Sequence, residues 1–323
     1  MTESSLRDRV RKRALRVAIQ ASFATLGRLT AYSPLAWPSL HGVRRFRDVP
    51  YFATGRRDHL LDVYVPKKNA GLRPVVLYLH GGGLMSLSKE THLPLALAFA
   101  RRGFVVFNAN YRLAPSNRYP AAHEDAARAY VWMVENAARY GGDVRRLVLA
   151  GESAGANLAA SLAIAACYER PEPFAKKVFA TGVVPRVVLP ACGILQITDP
   201  LRIARRRPVP AWLQDRISEV GELYLPAGHD TPPAEVPPAD PLLIFERGEK
   251  TARPLPTFFS IVGTRDILLD DTRRLKAALD RMRVPAEARY YERGMHAFHA
   301  FFLDKTARQS WADTFAFLDR NLS

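Results

Sequence analysis

The pentapeptide Gly151-Glu152-Ser153-Ala154-Gly155 constrains the fold of this chain more than any other feature. It lies between an apolar run, residues 147–150, and a small-residue stretch, residues 156–166, a pattern that predicts a strand, a sharp turn and a helix. The two glycines let the backbone turn tightly enough to hold Ser153 in a strained position with its hydroxyl exposed. The pattern therefore predicts a nucleophilic serine at the carboxyl end of a buried strand.

A glycine-rich segment upstream supports this prediction. The apolar run 75–79 is followed directly by His80-Gly81-Gly82-Gly83. Consecutive glycines weaken a strand or helix interior, but they leave backbone N–H groups free to point into a site. An ordinary glycine-rich turn is the alternative interpretation. Because the serine pentapeptide follows downstream, we favour a set of amide donors for an oxyanion.

An activated serine of this kind needs a base that takes its proton and a carboxylic acid that orients the base. In the chain, the acid follows the serine and the base follows the acid. The run 257–263 predicts a buried strand, and Asp266 lies in the loop after it, where functional loops of open α/β sheets collect. Asp270 and Asp271 are alternatives, but they precede the helical pattern 273–283 and are better explained as its cap and first-turn charges. We therefore predict that Asp266 is the acid.

Two histidines near the C-terminus are candidates for the base. The strand-like run 288–291 is followed by His296, in a glycine-flanked loop that can direct the imidazole towards the serine, so we predict His296 as the base. We interpret His299 as a packed or solvated residue of the next helical turn. The other histidines receive a structural interpretation: His41, His59, His80, His92, His123 and His229.

In this order, the motifs resemble the hormone-sensitive-lipase-like esterase family of the α/β-hydrolase superfamily. The resemblance runs from about residue 51 to the C-terminus. It includes three further segments, Asn110-Tyr111-Arg112-Leu113-Ala114-Pro115, Tyr119-Pro120-Ala121-Ala122 with Asp125, and Ala156-Asn157-Leu158-Ala159. The resemblance implies an α/β fold with a central, mostly parallel sheet flanked by helices, and a helical cap.

The resemblance also implies a chemistry. It implies hydrolysis of carboxylic esters through an acyl-enzyme on Ser153, with no cofactor and with a small-molecule ester as substrate. It further implies that the amides of Gly82, Gly83 and Ala154 form the oxyanion hole.

Three residues depart from the family pattern, and none of them removes a catalytic group. Glu152 stands where an aspartate is usual, Ala156 where a second glycine is usual, and Leu84 where an aromatic residue is usual. We interpret Glu152 as an ion-pair partner, because an extra methylene is tolerable in a salt bridge but not in a reacting group. Leu84 is expected to change the apolar wall beside the oxyanion hole, and with it the substrate preference.

The pattern of elements predicts one domain over residues 1–323, because 48% hydrophobic content supports one large core. A proline-rich stretch interrupts the pattern at about 193–250, and together with about 1–48 it is expected to form the cap. A helix is expected over 210–225, with apolar side chains that either line an acyl pocket or pack the cap onto the core: Trp212, Leu213, Ile217, Leu223 and Tyr224. Other helical patterns cover about 92–102, 123–140, 154–168, 270–283 and 308–321.

The N-terminal part of the chain is strongly basic. Residues 1–73 carry fifteen Lys or Arg against five Asp or Glu, a net charge of +10 out of +16 for the whole chain. The segment 6–28 is interpreted as cap or as a helix that contacts an anionic membrane surface. A cleaved signal peptide is disfavoured because Gln20 interrupts the apolar run 17–26 and no clear cleavage site follows. Nucleic-acid binding is disfavoured because no recognised module is present.

Composition sets the remaining expectations. Cys167 and Cys192 do not make a disulfide framework, and no spacing resembles a metal site, so no metal is expected. No run reaches the roughly 18 apolar residues of a membrane span. A cytoplasmic location is therefore expected, with peripheral membrane contact as the alternative, and homo-oligomer formation is left open.

Three functions are consistent with these motifs. The first is an esterase for short to medium acyl chains that uses the triad Ser153, His296 and Asp266. The second is a membrane-surface lipase or lipid deacetylase with the same triad. The third, a non-catalytic hydrolase-fold binding protein, is disfavoured because no triad residue is missing.

Overall fold

A central eight-stranded sheet organises the computed structural model, which describes residue 25 and residues 37–68, 71–206 and 208–322. The strands are β1 (Val43–Pro50), β2 (Leu60–Pro66), β3 (Arg73–Leu79), β4 (Val105–Ala109), β5 (Gly142–Glu152), β6 (Val187–Ala191), β7 (Thr257–Gly263) and β8 (Ala286–Tyr291). Their order is β1-β2-β4-β3-β5-β6-β7-β8. Only β2 runs antiparallel to its neighbours, β1 and β4, and the other pairs are parallel. The predicted α/β fold with a mostly parallel sheet is confirmed.

Helices connect the strands and lie on both faces of the sheet. They are α1 (Leu93–Arg101), α2 (Ala121–Asn136), α3 (Ala154–Cys167), α4 (Pro173–Ala180), α5 (Arg202–Arg206), α6 (Ala211–Tyr224), α7 (Pro241–Arg247), α8 (Leu269–Arg281) and α9 (Lys305–Leu322). The five helical patterns predicted outside the proline-rich stretch correspond to α1, α2, α3, α8 and α9. The helix predicted over 210–225 corresponds to α6. Among the described residues, no helix is both long enough and apolar enough to span a membrane.

Strand β3 illustrates how the core is built. Val75, Leu77 and Leu79 pack on one face of the sheet with residues of α2, α3 and α8. Val76 and Tyr78 pack on the other face with residues of α1 and α9. Because helices cover both faces of the sheet, the parallel strands are nearly continuous apolar runs. These apolar runs are the pattern from which the strands were predicted.

The N-terminal range that was predicted as cap, about 1–48, includes part of the sheet. Its last residues belong to β1, which pairs with β2 from Val43 to Pro50 with an irregularity between Phe46 and Val49. The predicted boundary therefore falls inside an edge strand. Apart from residue 25, residues 1–36 lie outside the described part of the chain, and with them most of the predicted basic amphipathic segment.

The stretch predicted as the second part of the cap is inserted between β6 and β7 and contains α5, α6 and α7. Tyr224, at the end of α6, is fully buried, and its hydroxyl lies 2.7 Å from Nδ1 of His123 on α2. Val220 lies one turn earlier, and a Cβ built on Gly83 would be 3.3 Å from its Cγ2. Helix α6 is therefore fixed to the core and lies against residues 80–83, here called the glycine-rich turn. Trp212, by contrast, is 53% exposed.

Candidate active site

Ser153 occupies the turn between β5 and α3, with φ +54° and ψ −113°. Such a conformation costs a non-glycine residue on the order of 1–3 kcal/mol, so neighbouring structure must hold it. The end of β6 and the loop after it do so: the Ser153 N–H donates to the Ala191 carbonyl at 2.9 Å, and the Ser153 carbonyl accepts from the Ile194 N–H at 3.2 Å. The side chain is half-buried. The strained turn that the glycine spacing predicted is present.

Gly155 shows why this turn needs glycine. A Cβ at this position would lie 2.0 Å from the Leu79 carbonyl oxygen, closer than any non-bonded contact allows. Helix α3 thus begins against the end of β3, and β3 and β5 are neighbours in the sheet, with Leu79 opposite Gly151. The serine turn therefore lies beside the glycine-rich turn that follows β3.

The predicted oxyanion donors have free amides in this arrangement. Gly82 and Gly83 have φ angles of +111° and +64°, and a Cβ on Gly82 would lie 2.1 Å from the Ser86 carbonyl oxygen. In the part of the chain that the structure describes, the N–H groups of Gly82 and Gly83 donate no hydrogen bond to the protein. Ala154 is the first residue of α3, so its N–H has no intrahelical acceptor.

Glu152 is buried beneath these amides, with 4% of its surface exposed. Its Oε1 accepts from the Gly81 N–H at 2.5 Å and lies 2.5 Å from Nε2 of His92, and its Oε2 accepts from the Tyr78 hydroxyl. Glu152 therefore has the ion pair that its sequence position suggested, with His92 as the partner. The same carboxylate also fixes the first glycine of the glycine-rich turn.

The electrostatics of this pair favour both charged forms. Burial raises the pKa of Glu152, but the His92 charge and the hydrogen bonds from His92 and Tyr78 outweigh it and bring the pKa to about 2. Burial likewise lowers the pKa of His92, and the Glu152 carboxylate more than compensates, so that the His92 pKa is raised above its ordinary value.

Asp266 and His296 are in direct contact. Asp266 follows β7 and is fully buried, whereas His296 follows β8 and leaves 38% of its side chain exposed. Nδ1 of His296 lies 3.0 Å from each Asp266 carboxylate oxygen, and the Leu268 N–H donates to Oδ1 at 2.8 Å. Burial lowers the pKa of His296, but the Asp266 charge and hydrogen bond raise it more, so the net pKa is above its ordinary value. The contact therefore stabilises an imidazolium.

The alternative acids make their contacts elsewhere. Asp271 is buried on α8, where its Oδ2 lies 2.5 Å from Nη2 of Arg202 and accepts from the Leu195 N–H at 2.9 Å. Asp270 lies 3.5 Å from Nη1 of Arg273, one turn along the same helix. Both aspartates lie in the first turn of α8, as predicted, but neither caps it, since the N-cap residue is Leu268.

The alternative base, His299, lies in a 3-10 turn, Phe298–Ala300, and is 3% exposed. Burial lowers its pKa to about 4, so the ring is neutral. It lines a cavity of about 30 Å³ together with Tyr78, Phe99 and Trp311, which belong to the core on the α1 and α9 face of the sheet. Its ring therefore points away from the face that carries α3.

Ser153 reaches the same edge of the sheet as the acid–base pair, but not by a direct bond. Strands β5, β6, β7 and β8 are consecutive and parallel, so the loops after them meet at one edge. Among the described residues, no hydrogen bond joins the Ser153 hydroxyl to His296. Contacts of this kind are often long in the absence of substrate and shorten when it binds.

Cys192 is a further residue at this site, and the sequence did not reveal it. It follows β6 directly, is 1% exposed, and donates its N–H to the Ile261 carbonyl at 2.8 Å. Its Sγ and ligand atoms of Asp266 and His296 all lie within 4.8 Å of one another. Burial, reinforced by the Asp266 charge, raises the pKa of the Cys192 thiol well above its ordinary value. The three residues come from three separate loops, so no sequence spacing could indicate the cluster.

Comparison with known proteins identifies the family to which this chain belongs. A family model described as alpha/beta hydrolase fold matches residues 76–300. A carboxylesterase of Mycobacterium tuberculosis, NlhH, is 43% identical over 110 residues, which is 34% of either chain. A hormone-sensitive lipase of Ictidomys tridecemlineatus is 34% identical over 102 residues, 31% of this chain and 13% of the lipase. The chain thus spans about a third, or less, of the length of these curated relatives.

A solved structure extends the similarity over nearly the whole fold. Esterase LipW of Mycobacterium marinum superposes with a TM-score of 0.71 at 27% identity, covering 94% of this chain and 88% of the esterase. The matched region 76–300 contains the glycine-rich turn, the serine turn, and the Asp266 and His296 loops. The chain therefore belongs to the hormone-sensitive-lipase-like family of the α/β-hydrolase superfamily.

Proposed function

We propose that this protein is a serine carboxylesterase that hydrolyses esters with short to medium acyl chains through a Ser153–His296–Asp266 triad. The observation that carries the proposal is the buried Asp266 carboxylate, 3.0 Å from Nδ1 of His296, whose side chain is 38% exposed. A strained serine turn lies at the same sheet edge. The esterase names of the relatives NlhH and LipW favour the same function.

In the proposed mechanism, the Ser153 hydroxyl attacks the ester carbonyl while Nε2 of His296 takes its proton. Because Nδ1 faces Asp266, the ring is held in the tautomer that leaves Nε2 free to accept. The carboxylate also stabilises the imidazolium that forms. His296 then protonates the departing alcohol, and a water activated by the same base releases the acid from the acyl-enzyme.

The amides of Gly82, Gly83 and Ala154 are proposed to bind the oxyanion. Removing one such donor in other hydrolases costs roughly 2.7–4 kcal/mol of transition-state stabilisation. Their fixed positions matter because the developing charge then needs no reorganisation of the protein. The free N–H groups of the two glycines support this role.

The cap is a second part of the proposal. We propose that the chain before Val43 and the insertion at about 193–250 cover the acyl side of the site. The position of Val220 beside Gly83 supports this for the insertion, since a Cβ built on Gly83 would lie 3.3 Å from Cγ2 of Val220.

The membrane-surface lipase remains the second candidate, because residues 1–73 carry a net charge of +10. Each cationic side chain near an anionic surface contributes about 1 kcal/mol to binding, and salt weakens this attraction. The two candidates share their chemistry and differ only in where the substrate is presented.

Hydrolysis of p-nitrophenyl esters of increasing acyl length, with and without anionic vesicles, tests the proposal. We expect kcat/KM to be highest for short to medium chains and to be unchanged by vesicles at low and high salt. Activity that rises several-fold on vesicles at low salt, and only there, would favour the lipase. Failure to hydrolyse any of these esters would contradict both candidates.

A substitution of Glu152 tests how the glycine-rich turn is held. Glu152→Gln keeps the size of the side chain but leaves one acceptor oxygen for three donors, on Gly81, His92 and Tyr78. A buried donor without an acceptor costs about 1–3 kcal/mol, so we expect the turn to shift and carry the amides of Gly82 and Gly83 out of position. Since these amides act on the transition state, kcat should fall roughly 10- to 100-fold. KM should change little, because the oxyanion donors act mainly on the transition state.

A matched control is Glu124→Gln, which likewise removes the charge of an ion-paired glutamate. Glu124 is paired with arginines, but it lies on α2 and is one-third exposed. It should change kcat less than about threefold, since exposed ion pairs contribute at most about 1 kcal/mol. Equal kcat values for the two variants, with equal melting temperatures, would show that Glu152 does not position the turn. Glu152→Asp serves as the second variant, since it keeps the charge but shortens the reach.

A further inference from the structure

We propose that Cys192, Asp266 and His296 form an inhibitory binding site for a thiophilic divalent cation such as Zn²⁺ or Cd²⁺. The inhibitory effect rests on the proposed esterase function, whereas the binding itself does not. No spacing in the sequence points to such a site, because the three residues follow three different strands.

The separation of the three ligand atoms fits one ion. Cys192 Sγ and the ligand atoms of Asp266 and His296 lie within 4.8 Å of one another. Zinc bonds to thiolate, imidazole and carboxylate are about 2.0–2.3 Å long, which in tetrahedral geometry separates two ligand atoms by roughly 3.5 Å. The largest separation is therefore at most about 1.3 Å above the required one, which side-chain rotation can supply.

The chemistry of the set is suited to zinc or cadmium. A thiolate, an imidazole nitrogen and a carboxylate oxygen are the three ligand types that zinc accepts, and a thiolate selects soft ions over Mg²⁺ or Ca²⁺. On binding, the cation replaces the thiol proton of Cys192, which is released to solvent. The charges of the ion, the thiolate and the Asp266 carboxylate then balance. Three protein ligands leave a fourth position for water.

The site also has an entry path and a clear consequence. Cys192 and Asp266 are buried, but 38% of the His296 side chain is exposed, so an ion enters past the imidazole. If the ion binds Nδ1 of His296, the ring proton moves to Nε2, which can then no longer accept a proton from Ser153. If it binds Nε2, the base is blocked directly. Either geometry removes the general base.

The second cysteine of the chain provides a matched control. Cys167 is buried at the C-terminal end of α3, where its Sγ lies 3.4 Å from the Pro254 carbonyl oxygen. Helix α3 has 14 residues and is therefore about 20 Å long, which separates Cys167 from the serine turn at its other end. Both thiols are buried, but only Cys192 lies beside the acid–base pair.

The first test is inhibition of p-nitrophenyl butyrate hydrolysis by Zn²⁺ and Cd²⁺, each variant being compared with its own uninhibited rate. We expect reversible inhibition of the natural protein and of Cys167→Ala, abolished by a chelator. Cys192→Ala should need at least about tenfold more cation, because it loses one of three ligands. Equal inhibition of Cys192→Ala and the natural protein would overturn the proposal. Cys192→Ser replaces Cys192→Ala if the latter does not fold.

The second test measures binding without hydrolysis. Titration with Cd²⁺ should produce a thiolate-to-cadmium charge-transfer absorption that saturates at one equivalent in the natural protein and in Cys167→Ala. It should be absent in Cys192→Ala. No absorption in the natural protein, or absorption without inhibition, would overturn the inhibitory site. The expected absorption in a protein that hydrolyses no ester would keep the cation site and contradict the proposed function.

Discussion

Replacing Ser153 with alanine is expected to lower kcat for p-nitrophenyl esters by roughly 10⁴- to 10⁶-fold, as loss of the nucleophile does in other triads. The reason is that no other hydroxyl occupies the strained turn between β5 and α3, next to the free amides of Gly82 and Gly83. Steady-state kinetics at saturating ester measure the change. Residual activity near the natural level would contradict the assignment.

Ser161 provides the control for this experiment. It lies two turns further along α3, is 6% exposed, and donates its hydroxyl hydrogen bond to the Pro238 carbonyl at 2.6 Å. Ser161→Ala should therefore cost about 1 kcal/mol of unfolding free energy and change kcat less than about threefold. Thermal unfolding of both variants separates loss of chemistry from loss of fold.

Replacing His296 with alanine is expected to lower kcat almost as severely, by roughly 10⁴-fold or more, because the serine and its base act as one unit. His299→Ala should change kcat less than about tenfold and act mainly on stability, since a buried side chain is lost beside an existing cavity. Reversed severities in the same kinetic assay would assign the base to His299.

Replacing Asp266, the proposed acid of the triad, is expected to change the pH dependence of activity as well as kcat. Asp266→Asn should lower kcat by about 10⁴-fold, as the equivalent change does in another serine hydrolase. The Asp266 carboxylate raises the pKa of His296, and the base must be neutral to accept a proton, so activity is lost as pH falls through that pKa. Removing the carboxylate lowers the pKa and should move the acidic limb of the kcat/KM profile to lower pH. Asp270→Asn should leave the limb in place.

The candidate triad could be predicted from the sequence because each member is next to a local signal. Ser153 lies between a buried strand and a helix that begins with small residues, and Asp266 and His296 directly follow strand-like runs. In a parallel sheet, the loops after such strands lie at one edge. Local pattern and topology therefore led to the candidate residues without knowledge of any long-range contact.

Some features of the fold were not predicted from the sequence, and there are physical reasons for this. Strand β1 is an edge strand with mixed burial, so it lacks the apolar run by which the inner strands were found, and its first residues were assigned to the cap. The prolines of the insertion were interpreted as breaking regular structure. Pro241, however, occupies the first turn of α7, where the missing N–H is not needed.

The polar network under the glycine-rich turn could not be predicted at all. Tyr78 and Glu152 are 74 positions apart in the chain, and Tyr78 appears in the sequence as one residue of an apolar strand. Only the pairing of β3 with β5 brings Tyr78 opposite Ala150 and near the glutamate. The same is true of Cys192, whose sequence context shows neither Asp266 nor His296.

Labelling with a fluorophosphonate probe, followed by identification of the modified peptide, tests the central claim most directly. An activated serine beside an oxyanion hole reacts with such reagents, so we predict one equivalent of label per protein, on Ser153 alone. Ser153→Ala should not be labelled, and His296→Ala should be labelled far more slowly. Stoichiometric labelling of a different residue, with activity retained in Ser153→Ala, would contradict the proposed triad.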